Sequence, residues 1–185
     1  MEALRSGTLP IALSLCVLSS GKLLAQTSGS PTDHSIDHTT ACGLFQLGKE
    51  FRRALEHCDR ALDDNPSDHS TLLNRGSAHL ALGNLEEALS DFERAIKIKQ
   101  EDARNYFNRA LVYAAKKDHR RAIADYNEAI RIMPSLAIAY NNRAAQLETM
   151  GEVEQAITDY RQALRLAPSL APVIRPNLQR LGVEP

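Results

Sequence analysis

The sequence predicts an all-α fold in which helical hairpins repeat along the chain. Alanines recur every 34 residues in two columns that stay in phase. The aromatic content is only 5%, with no Trp, so the core must be built from small and aliphatic side chains, as in helices packed on helices. The two columns are Ala54, Ala88, Ala122 and Ala156, and Ala61, Ala95, Ala129 and Ala163.

Each repeat has the pattern of two helices joined by a short turn. In one block, Ala88, Phe92 and Ala95 follow helical spacing and predict a helix with one apolar face. An apolar stripe over residues 72–82 predicts a helix ahead of it, and Gly83 marks the turn between them. The repeating unit is therefore a helical hairpin.

The repeats divide the chain into successive segments. The first repeat is degenerate, because Cys42 stands in a column of small residues and His38 in the column that holds Leu72, Tyr106 and Tyr140 in the later repeats. Three repeats are about the minimum for a stable array, so the chain has enough. The expected segments are 1–25, a signal peptide or N-terminal hydrophobic segment; 26–36, a flexible linker; 37–68, the degenerate repeat; 69–102, 103–136 and 137–170, three full repeats; and 171–185, a capping helix and tail.

Two of the blocks resemble the tetratricopeptide repeat (TPR) family closely. The matching residues are Tyr106, Ala110, Tyr113, Ala122, Tyr126, Ala129 and Pro134 in one block, and Tyr140, Ala144, Leu147, Ala156, Tyr160, Ala163 and Pro168 in the next. The resemblance implies a right-handed superhelical α-solenoid of about four hairpins with a short C-terminal capping helix. It also implies a protein that binds other proteins, without catalysis and without a cofactor.

The first residues predict export from the cytoplasm. One basic residue precedes the apolar run from Leu9 to Val17, and small residues follow it, as in a secretory signal peptide. The run is shorter than the roughly 20 residues that span a bilayer. We expect a periplasmic or secreted protein; the alternative is a membrane-anchored protein with an uncleaved N-terminus.

The charge pattern and the missing motifs narrow the classes of partner. Lys and Arg total 22 against 23 Asp and Glu, and the two signs are interleaved, which argues against nucleic acid. There is no nucleophile motif or Gly-rich phosphate loop, so we expect neither an enzyme nor a small-molecule substrate. The expected partner is a protein or peptide. The alternative function is a structural array that associates with further copies of itself as a homo-oligomer.

Two charged columns depart from the common family pattern. Each Arg precedes an Asp by 16 residues, which brings both to similar heights on the antiparallel helices of one hairpin. Unpaired charges between packed helices are unfavourable, so we predict structural ion pairs. The alternative is a row of arginines that recognises an acidic ligand. The predicted pairs are Arg75 with Asp91, Arg109 with Asp125, and Arg143 with Asp159.

An asparagine column is the main functional prediction. In the family, the column of Asn74, Asn108 and Asn142 faces the concave groove. An amide offers a donor and an acceptor, so the row can hold an extended peptide backbone. It resembles the asparagine ladder of O-linked N-acetylglucosamine transferases; the alternative is that Asn is simply common there. Further expected groove residues are Leu73, Phe107, Asn141, Arg104 and Leu111.

Cysteines and histidines near the first repeat allow two further hypotheses. Cys42 and Cys58 are 16 residues apart and either form a disulfide or, the interpretation we favour, fill the core as buried thiols. His34 and His38 are four residues apart and each follows an Asp, Asp33 and Asp37, which suggests a metal site with Cys42, His57 and Cys58 as further candidate ligands. A solvated linker explains this Ser-, Thr- and Gly-rich stretch better, and we predict no metal site.

Overall fold

The computed structural model describes residues 38–47 and 50–184, and within them every regular element is a helix. The structure divides into two compact units, unit 1 (Met1–Asn84) and unit 2 (Leu85–Pro185). The expected signal segment, 1–25, and linker, 26–36, lie outside the described residues. In the described part of the chain, no helix is both long enough and apolar enough to cross a membrane.

Three helices make up the described part of unit 1. They are α1 (His38–Leu47), α2 (Phe51–Asp64) and α3 (His69–Leu82), and each packs on the other two. The buried face of α2 carries residues at helical spacing, including Ala54, Cys58 and Ala61. Unit 1 therefore holds a helical hairpin, α1–α2, with α3 packed against it.

The ends of α3 follow from local sequence. The Asp68 carboxylate accepts a hydrogen bond of 2.7 Å from the backbone N–H of Thr71 and so caps the first turn. At the other end, Gly83 has a φ of 81°, a left-handed conformation that glycine adopts without steric penalty. The helix stops where the sequence predicts a turn.

Unit 2 consists of helices that pack on their neighbours in chain order. They form the hairpins α5–α6 and α7–α8, with α4 before them and a short helix after them. The bounds are α4 Leu85–Ile98, α5 Ala103–Ala115, α6 His119–Ile132, α7 Ala137–Thr149, α8 Val153–Leu166, a 3₁₀ turn at Pro168–Leu170, and α9 Ala171–Arg180.

The core of unit 2 pairs small residues with large ones. Ala144 and Ala156 are fully buried in one apolar cluster with the ring of Tyr160. The cap α9 adds Ile174 and Leu178 to this cluster, and both are fully buried. Small side chains allow the helices to approach closely, and a larger residue would have to displace packed neighbours.

Candidate functional site

The two cysteines of the first hairpin are joined. Cys42 on α1 and Cys58 on α2 form a disulfide, with Cα atoms 5.0 Å apart, and both residues are fully buried. The favoured expectation of two buried thiols is therefore wrong, and the alternative is correct. Spacing placed the residues at similar heights on the two helices, but only the packing of α1 on α2 makes the two faces converge.

Arg75 and Asp91, the ion pair expected in the second repeat, belong to different units. In unit 1, Arg75 donates from Nη1 to Asp59 on α2, at 2.8 Å. In unit 2, Asp91 is buried on α4, and its Oδ1 lies 3.9 Å from Nη1 of Arg94, one turn away. Each residue thus has a charged neighbour within its own unit.

Unit 2 brings the other expected pairs together. Arg109 donates from Nε and Nη2 to the two carboxylate oxygens of Asp125, at 2.7 and 2.8 Å. Arg143 binds Asp159 in the same two-pronged way, at 2.7 Å for each bond. Such charge-assisted pairs are strong, and the carboxylates are buried. These arginines are engaged inside their hairpins, which favours the structural interpretation over an acid-binding row.

A third residue takes part in this arrangement that the 16-residue spacing did not predict. The Arg143 guanidinium also donates from Nη1 to Asn127 on the preceding α6, at 2.7 Å. The pKa of Arg109 is raised mainly by its hydrogen bond to Asp125. The negative charge of Glu93, which lies on α4 one repeat before Asn127, raises it further. These residues recur at the repeat spacing, as does the Asp59 that binds Arg75, so the signal was present in the sequence. The arginines consequently link successive hairpins as well as the two helices of one.

A short chain of hydrogen bonds connects the asparagines of α7 to α6. Asn141 donates from Nδ2 to the Oδ1 of Asn142, at 3.0 Å. The Asn142 amide in turn hydrogen-bonds the phenol of Tyr126, whose pKa is raised mainly by burial. The Oδ1 of Asn141 is buried and has no hydrogen-bond partner. The chain therefore ends in an unsatisfied acceptor.

The remaining expected groove residues of unit 2 differ in accessibility. Phe107 and Asn108 on α5 are buried, and the Phe107 ring centroid lies 5.9 Å from that of Tyr126. Arg104 and Leu111 are half-buried, and Arg104 forms a salt bridge to Asp102 at 2.6 Å. The partly accessible polar side chains on this side of unit 2 are consequently Arg104 on α5 and Asn142 on α7, and Asn141 is buried.

In unit 1, the expected groove residues lie on α3. Leu73 is buried and Asn74 is half-buried. A side chain at Gly43 would place its Cβ 3.4 Å from Nδ2 of Asn74, an ordinary van der Waals distance. The Asn74 amide therefore lies beside α1 of the first hairpin.

To a ligand, the side chains of the described residues offer hydrogen bonds and apolar contacts. They contain no group of three or more His, Cys, Asp or Glu side chains that could hold a metal ion. Two histidines, His38 and His57, do meet, with their Nδ1 atoms 2.9 Å apart. Asp33, His34 and Asp37, which belong to the metal hypothesis considered from the sequence, lie outside the described residues.

Comparison with known families matches the repeat pattern. The family described as tetratricopeptide repeat matches residues 38–103, 103–136 and 137–170 in three consecutive segments. Together these segments span most of the chain and all the predicted repeats. No curated protein matches the sequence.

Solved structures of other proteins have the same fold. A crystal structure of MamA is 19% identical, has a TM-score of 0.67, and covers 77% of this chain and 85% of that one. A thermophilic TPR protein of Thermus thermophilus is 21% identical, with a TM-score of 0.67 and coverage of 78% and 79%. A MamA fragment from Desulfovibrio magneticus is 19% identical, with a TM-score of 0.65 and coverage of 71% and 74%. At these identities the likeness concerns the fold, an all-α array of helical repeats.

Proposed function

Because the chain belongs to the tetratricopeptide repeat family, we propose that it is an exported adaptor that binds a peptide or helix of a partner protein. Arrays of this family are protein-interaction scaffolds and are generally non-catalytic. The proposed binding surface is the asparagine-bearing side of α5 and α7 in unit 2. Its occupant is an extended peptide held through its backbone.

The observation that carries this proposal is the unsatisfied acceptor of Asn141. Burying a polar group without a partner is unfavourable by about 1–3 kcal/mol, so such atoms are rare in native structures, and a water or a ligand that supplied a donor would remove this penalty. A peptide N–H would satisfy this oxygen after a turn of the Asn141 side chain. The half-buried Asn142 beside it supplies a second amide. Two adjacent amides suit a peptide backbone, which presents donors and acceptors alternately.

The disulfide supports the proposed compartment. Structural disulfides persist in oxidising compartments such as the periplasm or the extracellular space, and are rare in the cytosol. A buried bond between Cys42 and Cys58 is consistent with export. Together with the apolar N-terminal run, it favours a periplasmic or secreted adaptor.

The groove proposal is tested with peptides selected on the full-length oxidised chain from a displayed library of random linear sequences. Titration by isothermal calorimetry then compares the wild type with Asn141→Leu and Asn142→Ala. We expect each substitution to weaken binding about tenfold, the loss of one well-placed hydrogen bond. Asn141→Leu is also expected to keep or raise the melting temperature, because it removes an unsatisfied buried acceptor.

The matched control is Gln155→Ala, which removes an exposed amide side chain on α8. It should leave the affinity unchanged. Equal affinity of all three variants and the wild type would overturn the groove proposal. So would failure to select any peptide together with a concentration-dependent dimer in sedimentation, which is the signature of a self-associating array.

A further inference from the structure

One face of α8 carries two exposed arginines without an acidic partner. Arg161 and Arg165 lie one turn apart, and neither forms an ion pair with another described residue. Together with Leu164 and Thr158 they line an open cleft of about 480 Å³. The Thr158 hydroxyl donates to the backbone carbonyl of Glu154, at 2.9 Å. The charged groups of this cleft are therefore two guanidiniums, and the leucine adds apolar surface beside them.

The repeat spacing shows what Arg161 replaces. The residues at this place in the earlier repeats are hydrogen-bond acceptors: Asp59, Glu93 and Asn127. The first and the last of these accept hydrogen bonds from Arg75 and Arg143, each on the helix that follows. The helix that follows α8 has Asn177 at the place of those arginines. The last hairpin therefore presents a cationic donor where the earlier hairpins present an acceptor.

Arg165 has lost the acidic partners of its counterpart on α6. That counterpart, Arg131, places its Nε 2.9 Å from Glu128 and its Nη2 3.4 Å from Glu101. The residues one repeat after these two acids are uncharged: Gln162 and Ser135. The charge of Arg165 is consequently not neutralised in the way that the charge of Arg131 is.

We propose that Arg161, Leu164 and Arg165, the arginine face, bind an acidic segment of a partner protein. Two cations one turn apart match two carboxylates, and a guanidinium can hold a carboxylate through two parallel hydrogen bonds. The apolar contact with the leucine favours a protein segment over a polyanion such as nucleic acid. This face lies on α8, whereas the proposed peptide groove lies on α5 and α7, so the inference goes beyond that groove.

The test starts from random linear peptides displayed on phage. They are selected on the full-length oxidised chain and counter-selected on the double variant Arg161→Gln, Arg165→Gln. We expect each retained peptide to carry two or more Asp or Glu residues. In calorimetric titrations, each single substitution should weaken binding about tenfold, the effect of losing one charge-assisted contact. Raising the ionic strength from about 0.1 to about 1 M should also weaken binding, because exposed charges are screened.

The matched control is Arg131→Gln, which removes an exposed arginine at the same repeat position that is already ion-paired. It should leave the affinity unchanged, and so should the groove variant Asn141→Leu, which separates this site from the groove. The double variant Ser135→Glu, Gln162→Glu supplies the missing acids and should weaken peptide binding. Thermal unfolding should show that all the variants are folded.

A selection that retains no acidic peptide would refute the arginine face. So would equal peptide affinity of the wild type and the Arg161→Gln, Arg165→Gln variant, or an equal loss in Arg131→Gln. Tighter binding of a single-stranded oligonucleotide or of phosphatidylglycerol vesicles than of the retained peptides would assign the face to another class of partner and would refute the proposal too.

Discussion

The first hairpin of unit 1 and the last hairpin of unit 2 hold their helices together differently at corresponding positions. In the first, Cys42 and Cys58 form a covalent bond. In the last, the same repeat columns carry Ala144 and Tyr160, which are buried together in an apolar cluster. A buried tyrosine ring removes far more apolar surface from water than a cysteine does. The disulfide therefore supplies, through a covalent link, stabilisation that the smaller side chains cannot provide by packing.

Charged contacts show the same contrast. The last hairpin adds the two-pronged Arg143–Asp159 pair, and the corresponding positions of the first hairpin hold Ala41 and His57. One repeat pattern is thus stabilised by packing and ion pairs in one place and by a cross-link in another.

Removing the Cys42–Cys58 disulfide is expected to change the free energy of unfolding the most. Replacing Cys42 and Cys58 together by Ser should lower the free energy of unfolding by about 3 kcal/mol, as expected for a closed loop of this length. Urea unfolding of the oxidised protein and the double variant measures the loss. Hydrogen exchange should show that α1 loses protection first.

As a control, a reducing agent should destabilise the wild type by a similar amount and leave the double variant unaffected. If both proteins unfold at the same urea concentration under oxidising conditions, packing alone holds the first hairpin and the contrast between the hairpins disappears.

The next effect concerns the ion pair of the last hairpin. Asp159→Ala leaves the Arg143 guanidinium without its main acceptor and should lower the free energy of unfolding by about 2–3 kcal/mol. The double variant Arg143→Met, Asp159→Leu should recover most of this loss, because both charges are removed. Chemical unfolding of the two variants measures the difference.

Arg161→Ala, an exposed residue on the same helix as Asp159, is the matched control and should change stability by less than about 0.5 kcal/mol. A double variant as unstable as Asp159→Ala would show that the loss comes from packing and not from an unpaired charge.

The smallest effect is expected at the turn of the α5–α6 hairpin. Lys117 has a φ of 59°, whereas the corresponding turns end at Gly83 and Gly151, both with a φ of 81°. A non-glycine residue in this left-handed region is unfavourable by about 1–2 kcal/mol, partly offset by the greater entropy of glycine in the unfolded chain. Lys117→Gly should therefore raise the free energy of unfolding by about 0.5–1 kcal/mol, measured by thermal and urea unfolding.

The reverse substitution can be made at the turn of the α7–α8 hairpin. Gly151→Ala forces a side chain into the same conformation and should destabilise the protein by a similar amount. If Lys117→Gly is destabilising, the lysine side chain makes a contact that outweighs the backbone strain.

Much of the fold follows from the sequence. The alanine columns and the Gly83 turn fix which residues are buried and where the hairpins bend, because helical spacing and repeat spacing are properties of the chain alone. The pairs Arg109–Asp125 and Arg143–Asp159 follow from the 16-residue spacing that puts them at one height. The repeat spacing likewise contained the link from Arg143 back to the preceding hairpin, although it was overlooked.

Tertiary structure decided how side chains at the same height are oriented. Spacing placed Cys42 opposite Cys58, but whether they bond depends on the rotation of α1 against α2, which spacing does not determine. The unsatisfied oxygen of Asn141 and the contact of His38 with His57 likewise depend on how neighbouring helices are rotated against each other. A sequence repeat sets the height of a residue along its helix, and only the packing of one helix on the next sets the direction in which its side chain points.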